Sequence, residues 1–413
     1  MNDRMNNRVG DYRNSRVYDE MRAARTNRPV SERTTVRRKT GSNPRKPVDT
    51  KQRVLKIVGR SLLVLLVTVV ILAGTLYIML YRCCNGPSDA ARNVFVTTLL
   101  ETGQMKFLAS WVCSDDTINS IVKGNSMQPI EEEVDPGQIG GENSGEIDYD
   151  AGRIFDENGV CIEEVYGAGF SGKMLIIKDP SQVRLGTTYN NGWTEYGKPL
   201  DKIIQSEGAV AGINGGIYES TGNKGGRPLG VVVQDGKILY NQPYDLNGLW
   251  LIGINSDGDI NRLMIQDLSG MTAKQVEEYI KKEGIRDAVV FQDEATDKNN
   301  HFVPLIINGK ARELSGLGSG ANPRTVIGQR KDGAILMLVT DGRGAGGHIG
   351  ATAADLIAVM QKYGAHNAAN LDGGSSTCMY YNGEWEMNSV TFYYQNSSWN
   401  LPNGFVVMPK TEE

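Results

Sequence analysis

Histidine is nearly absent from this chain: three in 413 residues, His301, His348 and His366. No H-E-x-x-H and no C-x-x-C occurs, which excludes the usual zinc enzymes and zinc ribbons. Five cysteines, Cys83, Cys84, Cys113, Cys161 and Cys378, are too few for a disulfide scaffold, and their spacing selects no pairing. A lysine-bearing phosphate loop is missing, as is the G-x-S-x-G elbow of many serine hydrolases. No calcium loop of known spacing is present either. The expectation is a protein with no metal and no cofactor.

Charge is present but unevenly spread. Residues 1–60 hold 17 Lys/Arg against 6 Asp/Glu, a net of +11; with the whole chain at −4, residues 61–413 carry −15. Between the two lies Ser61–Tyr81, SLLVLLVTVVILAGTLYIMLY, without a single charge. A run of this length crosses a hydrocarbon core of roughly 30 Å as a helix. Lys51, Arg53, Lys56 and Arg60 crowd its N-terminal flank, and only Arg82 follows directly. The positive-inside rule then places the N-terminus in the cytoplasm and residues 82–413 outside, on a single-pass anchor. A cleaved signal fits poorly, because sixty residues precede the run and no A-x-A site follows. The tail, residues 1–53, is polar and basic and reads as disordered, suited to anionic lipid beside the inner leaflet. Nothing aromatic or periodic in it supports nucleic-acid binding.

Beyond the anchor segment (54–82), residues 83–127 read as a helical stalk and 128–153 as an acidic linker rich in Gly, Pro and Asn. From residue 154 to 413 short β-type runs and turns dominate. KMLIIKDP and GVVVQDGKILYN are strands, the second a hairpin across Asp235-Gly236. AILMLVTDGR has the apolar pattern of a strand buried on both faces. MTAKQVEEYIKKEG and TAADLIAVMQKYG are helices, the latter started by Thr352 with Asp355 and stopped by Gly364. The strand AANL follows at once. If it pairs in parallel with LMLVT, the loops after Asp341 and Asp372 leave the same sheet edge.

Polar clusters interrupt the apolar runs at four places. AGINGGIY carries Asn214, Gly215 and Gly216; NPRTVIG carries Arg324 and Thr325; DGRGAGGHIG carries Asp341, Gly342, Arg343 and His348; NLDGGSST runs from Asn370 through Asp372, Gly373, Gly374, Ser375, Ser376 and Thr377. Guanidiniums suit a phosphate, successive loop amides can cradle an anion, paired carboxylates divide acid and base roles, and carboxamides hold sugar hydroxyls. A ligand with both a sugar and a phosphate uses the whole set. His348 in its glycine loop reads as incidental, and Asp293 with Glu294 as loop charges.

In order and spacing, INGGIY, PLIINGK, NPRTVIGQRKDG, LVTDGR and NLDGGSSTCMYYNGE resemble the phosphodiester glycosidase family, over roughly Gly167 to Pro409. The resemblance implies an α+β domain of mixed sheets with flanking helices, and hydrolysis of a sugar 1-phosphodiester to a free sugar and a phosphate monoester. It implies catalytic roles for Asp372, Asp341, Arg343 and Arg324. Substrate contacts fall to Asn214, Gly215, Gly216, Thr325, Gly342, Asn370, Gly373, Gly374, Ser375, Ser376 and Thr377. Ser375 stands where the family often has a third glycine. Asn388 matches part of a C-terminal family segment whose arginine has no counterpart here. Taken with the anchor, the resemblance implies an enzyme of a bacterial, Gram-positive envelope acting on a glycan phosphodiester. Two other readings stay open: a non-catalytic wall or exopolysaccharide binder, and a glycan phosphotransferase.

Overall fold

The computed structural model describes residues 50–102, 105–140, 147–257, 260–292, 303–388 and 397–411. The tail to residue 49, together with Asp293, Glu294 and His301, lies outside the described residues. The chain divides into two compact units, Met1–Thr68 and Val69–Glu413.

Four helices come first: α1 (Thr50–Asn85), α2 (Asp89–Leu100), α3 (Lys106–Val112) and α4 (Asp115–Lys123). By length and composition α1 can cross a membrane, alone among the described residues. Ser88 and Ser114 cap α2 and α4, each hydroxyl accepting a first-turn N–H. Leu80 and Cys84 of α1 pack with Val96 and Leu99 of α2, Leu108 and Ala109 of α3 and Ile121 of α4.

The remainder is β-rich. In chain order come β1 (Val160–Tyr166), β2 (Ser171–Ile177), β3 (Val183–Thr187), α5 (Leu200–Glu207) and β4 (Ala211–Asn214). Then follow β5 (Gly230–Gln234), β6 (Lys237–Gln242), β7 (Leu249–Asp257), β8 (Ile260–Asp267), α6 (Ala273–Lys282) and β9 (Ile285–Gln292). Last are β10 (Pro304–Ile307), β11 (Lys310–Ala311), β12 (Arg324–Arg330), β13 (Ile335–Thr340), α7 (Ala353–Lys362), β14 (Ala365–Asn370), β15 (Met379–Tyr381), β16 (Glu384–Met387) and β17 (Asn403–Val407).

These strands build three sheets, ordered β1-β2-β13-β12-β14-β10-β11, β16-β15-β4-β17-β3 and β6-β5-β9-β7-β8. The inner faces meet in one core, to which β2 gives Leu175, β4 Ile213, β7 Ile252, β9 Val289, β13 Met337 and β17 Phe405. Each outer face carries a helix. Leu356 and Met360 of α7 lie on Val326, Leu338 and Ala368; Val276 and Ile280 of α6 on Val231 and Val290; Ile203 and Ile204 of α5 near Val406. That layering explains the unbroken apolar run of β13. Ile335, Met337 and Val339 face the shared core, while Leu336 and Leu338 face α7.

Two expectations change in detail. Every strand pair among the described residues is antiparallel, not mixed, because successive strands are largely joined by short hairpins. Asp235-Gly236 and Asn382-Gly383 are such hinges, with φ of 48° and 72°, and 47° and 89°. The β13–α7–β14 connection also skips a position. β12 is inserted between β13 and β14, antiparallel to both, with Arg324 opposite Thr340 and Val326 opposite Asn370. β13 and β14 therefore run the same way one strand apart, and their carboxyl ends share an edge with the start of β12. The expected convergence survives by a different route.

Candidate active site

At that edge the four polar clusters come together. Asn214, at the end of β4, is fully buried and acts as a clip. Its Oδ1 accepts from the Thr325 hydroxyl at 2.7 Å and from Cys378 N at 3.2 Å, and its Nδ2 donates to Asp372 O at 2.6 Å. Asn214 and Thr325 thus bind protein and hold the Asp372 loop to two sheets. Gly215 O accepts Asp372 N at 3.3 Å, and Gly216 N donates to Asn403 Oδ1 at 3.0 Å. The close approach demands glycine here: a Cβ on Gly215 would stand 2.2 Å from Asn403 Oδ1.

Asp372 follows β14 after one residue, Leu371. Its carboxylate accepts from Gly373 N at 3.0 Å and from the Ser376 hydroxyl, and Ser376 lies 3.0 Å from the Tyr218 hydroxyl. Burial pushes the Asp372 carboxyl up to about 6, against the lowering effects of Ser376, Gly373 N–H and Arg343. Burial also raises the Tyr218 phenol, which keeps it protonated. A carboxyl poised near neutrality is what proton transfer at physiological pH requires.

Asp341 is differently engaged. Its Oδ1 accepts Ser171 N at 2.8 Å, and its Oδ2 lies 2.7 Å from His348 Nδ1. The histidine that reads as incidental in the sequence is thus a partner of this carboxylate, and the opposite ring nitrogen is the one a substrate could meet. Arg343, two residues on, has φ of 54°, a left-handed conformation uncommon outside glycine, asparagine and aspartate. Its Nε donates to Asn322 Oδ1 at 3.2 Å and its Nη1 to Ser375 Oγ at 3.0 Å. Desolvation and the neighbouring Arg324 hold Arg343 below the usual arginine range, offset by Asp372 and Glu101. The guanidinium lies against Gly374, whose φ is +61° and whose Cβ, were there one, would sit 2.7 Å from Nη2.

Arg324 differs from expectation. It is buried, and its Nη2 donates to Glu101 Oε2 at 2.6 Å, to Gly320 O at 2.7 Å and to Ser319 Oγ at 3.4 Å. It stands behind Arg343 with its charge matched by a carboxylate of the chain. The loop-amide cradle also differs: Gly373 N donates to Asp372, Gly374 N to Pro323 O at 2.8 Å and Ser376 N to Gly373 O at 3.1 Å. These amides are spent within the protein, so the polar face is made by side chains. Gly342 serves packing, since a Cβ would meet Gly350 Cα at 2.7 Å. Asn370 and Thr377 are buried, and the Asn370 amide and Thr377 hydroxyl have no partner among the described residues. Asn388 accepts from Ser397 N at 3.1 Å.

No group of three or more His, Cys, Asp or Glu among the described residues is placed to hold a metal ion. A separate open cleft of about 1120 Å³, with Arg184, Glu207, Gln234 and Asp235 on its walls, shares no residue with this cluster.

The site thus brings together a carboxyl tuned toward neutrality, a His–Asp pair and an arginine braced on a serine loop. Residues 207–408 match the phosphodiester glycosidase family. All fifteen residues marked out by motif fall inside that match. The solved zebrafish N-acetylglucosamine-1-phosphodiester α-N-acetylglucosaminidase catalytic domain, auto-inhibited by its pro-peptide, is similar at 16% identity, with 61% of this chain and 82% of that one covered and a TM-score of 0.46. An exported protein of Burkholderia pseudomallei is similar at 15% identity over 58% of this chain and 74% of that one, TM-score 0.38. A Synechocystis protein is similar at 16% over 61% and 62%, TM-score 0.38. No curated protein sequence matches the chain.

Motif reading gives no role to Asn322, Tyr218, Asn403 and Glu101, and sets His348 aside as incidental. Tyr218 and Asn322 lie inside the quoted motifs INGGIY and NPRTVIG, and Asn403 opens the last strand in an N-G pair. Glu101 carries no local signal at all.

Proposed function

We propose that this protein is a membrane-anchored phosphodiester glycosidase whose domain lies outside the cell and cleaves sugar 1-phosphodiesters of an envelope or extracellular glycan. Water adds to C1 of the sugar, the bond from C1 to the phosphate oxygen breaks, and the products are a free sugar and a phosphate monoester. Arg343, held by Ser375 and Asn322, binds the phosphate as a charge-assisted pair. Asp372, ionised above about pH 6, takes the proton of the attacking water and faces the positive charge that develops at C1. His348, oriented by Asp341, donates to the departing phosphate oxygen. Asn214 and Thr325 set the loop that carries Asp372, and Asn370 lies beside the same loop.

The observation that carries this reading is the Arg343 loop clasped to the Asp372 loop through Ser375, within a stretch matching the glycosidase family. Anchoring is supported by the uncharged Ser61–Tyr81 run within α1 and the basic residues before it. Phe107 and Trp111 add to it: they are exposed, stack edge to face at 5.1 Å, and sit on α3, whose Val112 O accepts from Asn85 at the end of α1. Such aromatics suit a membrane–water boundary.

The test is incubation of the detergent-solubilised full chain with the methyl phosphodiester of N-acetylglucosamine 1-phosphate, with Asp372→Asn alongside. Free sugar from the wild type alone supports the reading. Tight binding without release, unchanged in the variant, replaces it with the polymer-binder reading. Release seen only with an added acceptor replaces it with a phosphotransferase.

A further inference from the structure

Glu101 lies at the end of α2, outside the stretch that matches the family, yet its carboxylate is inserted into the domain. Only 3% of its side chain is exposed, and 7% of Arg324's. Oε2 accepts from Arg324 Nη2 at 2.6 Å and Asn322 Nδ2 at 3.4 Å, and Oε1 from Gly320 N at 2.7 Å. One turn earlier Thr98 Oγ1 accepts from Ala321 N at 2.9 Å. The strip Gly320–Pro323 is therefore moored to α2 on one side.

Its other side reaches the site. Asn322 Oδ1 accepts Arg343 Nε at 3.2 Å, and Pro323 O accepts Gly374 N at 2.8 Å. One carboxylate thus orients the Asn322 amide, whose opposite end orients the arginine facing the site. Glu101 also neutralises Arg324, whose uncompensated charge would otherwise depress and repel Arg343.

We infer that Glu101 is a positioning residue of this site: through Arg324 and Asn322 it aims Arg343 and braces the Gly373–Ser376 loop, so the site is complete only when α2 is docked. This rests on the glycosidase reading for what Arg343 binds, but not for the bracing itself. The helix that directly follows the membrane-crossing candidate then becomes part of the active site and not a spacer.

The experiment uses the full chain with Glu101→Gln, which keeps the shape and one acceptor, and Glu101→Ala. Hydrogen exchange over residues 371–378 is read first and needs no substrate. Exchange at least ten-fold faster in both variants, with α7 unchanged, is expected. With the same methyl phosphodiester, KM should rise about ten-fold in Glu101→Gln while kcat falls less, because ground-state aim at the phosphate is lost. Inorganic phosphate should bind correspondingly more weakly. Wild-type exchange in both variants, with only a lower melting temperature, overturns the inference and leaves a structural ion pair. Tighter phosphate binding overturns it too, since Glu101 would then be occupying the anion's place. A wild type that cleaves nothing removes the glycosidase reading, and the exchange result alone then decides the role of Glu101.

Discussion

Asp341 holds His348 with one carboxylate oxygen, 2.7 Å from Nδ1, and is itself held by Ser171 N at 2.8 Å on the other. Each carboxylate oxygen has a protein partner, so we propose that Asp341 acts by orienting the imidazole. His348→Asn should lower kcat by about a hundred-fold, within the range for loss of a positioned acid. Asp341→Asn should approach that value, and the double variant should be no worse than His348→Asn alone. Steady-state kinetics on the three variants check the coupling.

Asp372 sets a pH signature. Its carboxyl is raised from 3.8 to about 6, so kcat/KM should climb as pH rises through about 6 and lose that limb in Asp372→Asn, with activity down at least about a thousand-fold. The sign for stability is the reverse. A raised folded-state value favours the protonated native form, so this contribution is fully present below pH 3.8 and is lost as pH passes about 6. Asp372→Asn should therefore be more stable than wild type at pH 7, by about 1–3 kcal/mol, with the gap closing at pH 4. Thermal melts at the two pH values measure it.

Gly374→Ala brings two penalties at once. The position needs φ of +61°, and a Cβ would press on Arg343 Nη2 at 2.7 Å. About 1 kcal/mol of stability should go with the backbone. KM should rise more than kcat falls, because the displaced group is the arginine proposed to bind the phosphate.

Asn214→Ala leaves the Thr325 hydroxyl, Cys378 N and Asp372 O without their partner in a buried place. The expected loss is about 2–4 kcal/mol, with activity falling alongside because the Asp372 loop is released. Asn214→Asp, which keeps the two acceptor contacts, should recover part of the stability. Chemical denaturation checks both.

Much of this arrangement is legible in the amino-acid order. The alternation of β13 between two cores, the Thr352–Asp355 cap and the N-G and D-G hairpins are local properties, readable from period and turn chemistry. The grouping of the Asp341 and Asp372 loops follows from strand direction alone, even though β12 intervenes. What stays hidden depends on long-range partners. Arg324 looks like a phosphate ligand until Glu101, 223 positions away, is seen to hold it. The Gly373, Gly374 and Ser376 amides look like an anion cradle until the Asp372 carboxylate and the Pro323 and Gly373 carbonyls are seen to take them. His348 looks incidental because its glycine loop conceals the fold-back onto Asp341.

The most direct test is cleavage of the methyl phosphodiester of N-acetylglucosamine 1-phosphate in ¹⁸O-water, with mass analysis of the phosphate product. If the bond from C1 to oxygen breaks, methyl phosphate carries no label while wild type but not Asp372→Asn turns over. Label in the phosphate would mean attack at phosphorus, and would contradict a glycosidase built around Asp372.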